Sequence, residues 1–262
     1  MSVAPDHSRP FPSRMSRNGP QKPPKTAIIV AQAIVSEIVN GGYEPGHMLP
    51  PERQMLLDYE VGRGTLREAM RFLEIQGIVS IKPGPGGGPF VTAPDSRHLA
   101  STLALQLQVN GTPFRSVVEA RQVLEPALAA QAAERATPEH IAEIALTVEN
   151  MGAELGNLRA FLIENERFHD VIAWSSGNPL FGMLLTSLHW ITDGTALGVD
   201  YPEKRRKAVL IAHREIYEAI AAHDGDRAQA TMNRHVGEFA RYLEANYPAL
   251  MDQSIPWKDV MG

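Results

Sequence analysis

The chain contains no cysteine, which excludes disulfides, thiolate metal sites and cysteine nucleophiles. It also lacks any apolar run approaching the roughly 18 residues that a bilayer span needs. Its first residues, Met1-Ser-Val-Ala-Pro-Asp-His7, lack the basic-then-apolar plan of a signal peptide. These absences lead us to expect a cytoplasmic protein with no membrane partner. Aromatic residues are sparse at 6%, yet hydrophobic residues make up 44% of 262 positions. That content supports one large core or two smaller ones.

Charge is unevenly placed. The net charge is −5 overall, but residues 1–94 carry ten Lys/Arg against eight Asp/Glu, while the remainder carries fifteen against twenty-two. A basic first part joined to an acidic remainder predicts that only the first part meets a polyanion.

Residues 1–24 are rich in Pro, Ser, Arg and Asn, without apolar periodicity, and are expected to be a disordered tail. Ile28, Ala31, Ile34, Val35 and Ile38 recur at helical spacing until Gly41-Gly42 stops the run. Pro50-Pro51 opens a short helix to about Asp58, and a second helix runs from about Arg63 to Gln76. Ile78–Ile81 and Phe90–Thr92 flank a glycine-rich turn and predict a hairpin. That turn lacks the Lys-Ser/Thr ending of a phosphate-binding loop and is not set between a strand and a helix. Beyond Pro94-Asp95 the texture becomes wholly helical, with helices expected over 96–109, 113–134, 138–155, 158–174, 179–194, 203–222 and 225–246. The expected fold is mainly α: a winged helix-turn-helix over 25–94, an all-α bundle over 95–248 and a tail over 249–262.

On helix 63–76, Leu66, Ala69, Met70 and Leu73 share one face and should pack inward. Arg63, Arg67 and Arg71 are spaced four apart on another. A row of guanidiniums suits phosphates and the guanine edge, although such a stripe on its own more often describes a solvated face. The short helix before it, the brief turn and the hairpin after it supply the plan of a winged helix-turn-helix, whose second helix enters the major groove.

Nine histidines are present. His213 lies eleven residues before Asp224 and His235 eleven after it, so a chain reversal at Asp224-Gly225-Asp226 puts both imidazoles about 16 Å from the turn. Asn165 and His169, four apart, share a face of the helix before. This spacing leaves two readings open: a divalent-metal site of three imidazoles and an amide, or histidines satisfied within a core. His7, His47, His98, His140 and His223 are expected at the surface or satisfied, and His189 in packing.

The segments Gly42–Arg53, Val61–Met70 and Leu73–Val79 resemble the DNA-binding domain of GntR-family bacterial regulators. The resemblance implies that Arg53, Arg63 and Arg67 touch operator phosphates or bases. It also implies that Thr65 sits near the DNA backbone and that the wing around Gly84 approaches the minor groove. Gly62 stands where the family commonly has a capping Ser or Thr, and Gly64 follows inside the first turn. An interior glycine costs about 1 kcal/mol against alanine, so a soft helix start is expected. Phe114–Ala130, Asn165–His169, Ser176–Pro179, His213 and His235 are similar to the FCD effector domain of the FadR subfamily. That likeness implies a homodimer binding double-stranded operator DNA, repression as the commoner outcome, and no enzyme activity. It further implies a divalent metal (Zn, Ni, Fe or Mn) held by Asn165, His169, His213 and His235, and a small carboxylate effector clamped by Arg121. Most metal-bearing members have Asp where Asn165 stands, so the chain departs by one negative charge. An alternative for Arg121 is an intrahelical pair with Glu125.

Two rival functions remain at this point. A metal-dependent hydrolase would use an open metal site, but no His-Glu-x-x-His or Gly-x-Ser-x-Gly motif accompanies the histidines. A metal or metabolite sensor with little DNA sequence selectivity is the other.

Overall fold

The computed structural model describes residues 26–84, 86–93, 95–192 and 198–260. The expected tail over 1–24 lies outside them. The chain divides between Pro94 and Asp95 into two compact units.

The first unit holds α1 (Thr26–Asn40), α2 (Glu52–Asp58), α3 (Arg63–Ile75), β1 (Val79–Lys82) and β2 (Gly88–Val91). Helix α1 buries Ala27, Val30, Ala31 and Ile34, a stripe at i, i+3, i+4 and i+7. Helix α3 buries Leu66, Ala69, Met70 and Leu73 against it, the four positions its periodicity singles out. Its start carries no side-chain cap: Gly62 occupies the N-cap in extended backbone. Its end is firmer. Gly77, at φ 69°, donates to the Glu74 carbonyl, and Ile78 donates to Leu73, the pairing that closes a helix with a left-handed residue. The chain then enters an antiparallel hairpin in which Val79 faces Val91 and Lys82 faces Gly88. The loop after α1 holds the hairpin's far edge through a Met48–Phe90 bridge and the Leu49 N–H to the Pro89 carbonyl.

The second unit has helices and no strand among its described residues: α4 (Ser96–Val109), α5 (Phe114–Arg135), α6 (Pro138–Ala153), α7 (Leu158–Ser175), α8 (Pro179–Ile191), α9 (Glu203–Ala221), α10 (Gly225–Asn246), α11 (Pro248–Met251) and α12 (Trp257–Val260). Starts follow local chemistry. Thr137 caps α6 with Pro138 in the first turn, Asn178 caps α8, and the Asp224 side chain accepts from the Arg227 N–H at the head of α10. The reversal between α9 and α10 falls at His223, in left-handed backbone with φ 54°, one residue before the expected turn. Helix α5 lies at the centre because Ala129, Ala132 and Ala133 let α10 approach with Ala228, Met232 and Val236. Phe161, Phe168 and Ile172 of α7 and Ile216 and Ile220 of α9 complete this core.

The described part of the expected tail, residues 249–260, packs against the bundle. Met251 and Ile255 are buried with Ala100, Ala104, Phe114 and Val118, and the Trp257 indole N–H donates to Ser101 Oγ at 2.9 Å. Two four-residue helices are too short to show a period, so their anchoring came from single apolar residues that periodicity cannot weigh.

Candidate functional site

In the first unit, Arg53, Arg63, Arg67 and Arg71 are all exposed and Thr65 is half-buried. Arg67 lies 3.4 Å from Glu52 Oε1, an exposed contact of the kind that contributes little. Gly84 adopts φ 95° in the wing turn. A side chain at Gly87 would meet the Lys82 carbonyl oxygen at 2.1 Å, so glycine is required there for the turn to close. The result is a cationic helix face beside a narrow wing, with nothing buried in it.

The second unit concentrates its polar groups differently. Helix α7 supplies His169, α9 supplies His213 and α10 supplies His235. The Nε2 atoms of His213 and His235 lie 3.1 Å apart, and those of His235 and His169 lie 3.3 Å apart. All three rings are buried, and Phe168 stacks on His213 with centroids 3.8 Å apart. Asn165 and Arg121 line the same small cavity, of about 60 Å³, as His169 and His235.

The far nitrogens of these rings set their tautomers. His169 Nδ1 lies 2.6 Å from Glu125 Oε2, and the carboxylate draws the ring's proton to that nitrogen. His213 Nδ1 faces the Met151 sulfur at 3.3 Å. With the protons of these two rings on Nδ1, their Nε2 lone pairs point at His235. Burial first, then the charge of His169, pushes His235 down to about 3. Burial and the neighbouring His235 hold His213 well below the usual histidine range. The triad is therefore neutral near pH 7. Three ring nitrogens that converge with at most one proton among them are the donor set that a Lewis acid satisfies. The residues present thus fit a divalent cation.

Glu125 was read from the sequence only as a possible partner of Arg121, and it does pair with Arg121 Nε at 2.5 Å. It is also 1% exposed, so the carboxylate sits inside the bundle. Burial would raise its pKa, but Arg121 and His169 outweigh burial and hold it well below the ordinary range. His189, expected in packing, instead puts Nδ1 2.7 Å from Asp170 and Nε2 3.7 Å from Glu125. Burial and Arg121 oppose its proton, yet Asp170 and Glu125 prevail and raise its pKa. Arg121 also reaches Thr192 Oγ1 at 3.2 Å through Nη1. Tyr201, Arg205 and Phe239, unmarked by sequence pattern, join the cavity wall.

Two family patterns match this chain: the gntR family of bacterial regulatory proteins over residues 27–88, and the FCD domain over residues 116–238. The chain belongs to the GntR family. It is a DNA-binding transcription regulator with an FCD effector domain, not an enzyme. The HTH-type transcriptional repressor NanR of Escherichia coli K12 is 29% identical over 240 residues, covering 88% of this chain and 89% of that protein. The galactonate operon transcriptional repressor of the same strain is 29% identical over 216 residues, covering 79% and 92%. Among solved structures, a Streptococcus agalactiae GntR protein superposes with a TM-score of 0.67 at 24% identity, covering 82% of this chain and 99% of that one, which establishes the shared fold. These matches remove the hydrolase reading. No helix among the described residues is long and apolar enough to cross a membrane.

Proposed function

We propose that this GntR-family regulator is a repressor that works as a homodimer. Its bundle holds a divalent cation through His169, His213 and His235, with Asn165 as a fourth, neutral ligand, and it responds to a small carboxylate metabolite. The observation that carries the reading is the meeting of three buried, neutral Nε2 atoms at 3.1 and 3.3 Å. Even with its proton on Nε2, His235 can donate well to only one of its two neighbours, so a lone pair stays unmatched unless a cation accepts it. Zn, Ni, Fe and Mn all suit imidazole donors. Bound there, the cation supplies positive charge and open coordination positions to an anion.

Arg121 has committed one N–H to Glu125 and another to Thr192. A guanidinium carries five N–H donors, so the remainder are available to a carboxylate in the cavity. The name of the galactonate operon repressor ties one relative to a sugar acid, which is a carboxylate rich in hydroxyls. Two heads on one dimer suit a pseudo-palindromic operator, with Arg63 and Arg67 reading the groove, Arg53 and Thr65 at the backbone and the Gly84 wing beside the minor groove. Repression is the outcome that the names of NanR and the galactonate operon repressor both give. A soluble regulator acting on chromosomal DNA belongs in the cytoplasm.

The test is a metal titration of chelator-stripped, full-length protein against a competing dye. His213→Ala should lose more than about a hundred-fold in Zn²⁺ affinity, since outer partners alone account for roughly 10–100-fold. Equal affinity in wild type and His213→Ala, or no bound metal in either, sinks the reading.

A further inference from the structure

Arg205 is a second cation on the wall of the cavity, and the sequence hid it in the charged start of α9, Glu203-Lys204-Arg205-Arg206. Its neighbour Arg206 is held by backbone carbonyls, donating from Nε to that of Leu155 at 2.8 Å and from Nη1 to that of Tyr201 at 2.5 Å. Arg205 is not. Its guanidinium carbon lies 3.5 Å from the centre of the Tyr242 ring, 5.3 Å from that of Tyr201 and 5.7 Å from that of Phe239. Its Nε is buried without a hydrogen-bond partner. The guanidinium also bonds to the Tyr201 side chain, but the rings around it fix its plane without supplying an acceptor for the Nε proton.

Arg121 flanks the same Phe239 ring, with its guanidinium carbon 5.4 Å from the centre. The two guanidiniums are therefore no farther apart than those two distances combined, a span that a short diacid bridges. Arg121 is balanced by Glu125. Arg205 has Glu238 on its wall of the cavity but rings as its near neighbours. Asn165, on the same wall, is neutral where the resemblance leads one to expect a carboxylate, so a divalent cation bound beside it keeps one more unit of positive charge.

We propose that the effector is a dianion, with one carboxylate at the histidine triad and Arg121 and a second acidic group on Arg205. This rests on the metal-and-carboxylate reading above and narrows it to a ligand class. Arg205 is then the specificity residue that separates diacids from monoacids, and Asn165 leaves the charge for which the second acid compensates.

The experiment uses full-length protein loaded with Zn²⁺, its metal content measured first. Calorimetric isotherms are taken for the diacids malonate, succinate, glutarate and adipate, each against its monoamide, which keeps length and removes one charge. The best diacid should bind about ten-fold or more tighter than its monoamide, the scale of one desolvated charge pair. In Arg205→Gln that ratio should fall to within about two-fold, while Arg205→Lys keeps part of it and Zn²⁺ content stays unchanged in both. Asn165→Asp should shift the preference toward the monoamide by about ten-fold. Monoamides equal to diacids in wild type, no diacid binding, or an unchanged ratio in Arg205→Gln would each overturn the proposal, the last leaving Arg205 a packing residue. Zn²⁺ present with no discrimination defeats this proposal alone, whereas Zn²⁺ absent defeats the metal reading and this one with it.

Discussion

The two units place their charged residues by opposite rules. In the DNA-binding unit, Arg53, Arg63, Arg67 and Arg71 stand in solvent on a short-range pattern, held by almost nothing of their own. In the bundle, Glu125, His169, His213 and His235 are buried, and each is held by groups from another helix. The first arrangement suits a partner that brings its own dense charge and displaces counterions on contact. The second suits a small ligand that must find its donors already in place. A sensor joined to a reader needs both, and each variant below bears on one side of that contrast.

After the ligating histidines themselves, the largest effect is expected at Glu125. Its carboxylate meets His169 and Arg121 together, so it both aims an imidazole of the proposed metal site and neutralises the proposed anion clamp. Glu125→Gln keeps the size and removes the charge. Zn²⁺ affinity should fall by roughly 10–100-fold, the usual cost of losing a carboxylate behind a ligating histidine. Binding of operator DNA by the metal-free protein should stay within about two-fold of wild type, since no charge changes on the reading face. A competition titration and fluorescence anisotropy measure the two. Equal losses in both would mean that the buried site and the exposed one are not separable.

The converse variants act on the exposed side. Arg63→Ala or Arg67→Ala should cost about 1–3 kcal/mol against the cognate operator and relax its selectivity, as for a lost base contact. Arg53→Ala should weaken cognate and random duplexes alike and flatten the salt dependence by about one counterion, as for a lost phosphate contact. Zn²⁺ content should not change in any of them. Identical losses on cognate and random DNA for all three arginines would leave direct readout by α3 without support.

What could be read from the sequence follows the same division. The face of α3 was legible because its four buried residues and three arginines repeat within one helix. The levelling of His213 and His235 was legible by counting eleven residues either way from Asp224, although the reversal itself sits at His223. Glu125 was visible as the i+4 partner of Arg121, but its contact with His169 spans helices forty-four positions apart in sequence, which no local period encodes. His189 looked like packing because its acid, Asp170, also lies on another helix. Arg205 was masked by ordinary helix-start charges, and Trp257 by a helix of one turn. Local repetition revealed surfaces and helix limits, while buried polar groups depend on meetings between distant segments.

The smallest effect concerns acid, and it again separates the units. All three tryptophans, Trp174, Trp190 and Trp257, belong to the bundle, so intrinsic fluorescence follows that unit alone. In metal-free protein His235 is pushed down to about 3, chiefly by burial, and His213 lies well below its ordinary value. Unfolded, both take up protons near pH 6.5. Above that pH neither state is protonated and the two histidines contribute nothing. Below it the unfolded chain binds protons that the folded bundle refuses, so stability falls as pH falls. Each should remove about 1 kcal/mol between roughly pH 6.5 and 5.5. His189 works the other way, because its raised pKa adds stability at low pH that is lost as pH rises through its folded value, so it softens the slope without reversing it. The tryptophan-monitored denaturant midpoint should therefore drop between pH 7 and 5.5, and His235→Phe should drop less. A midpoint that is flat across that range would mean that the buried imidazoles already hold protons, and that their lone pairs do not face one another in solution.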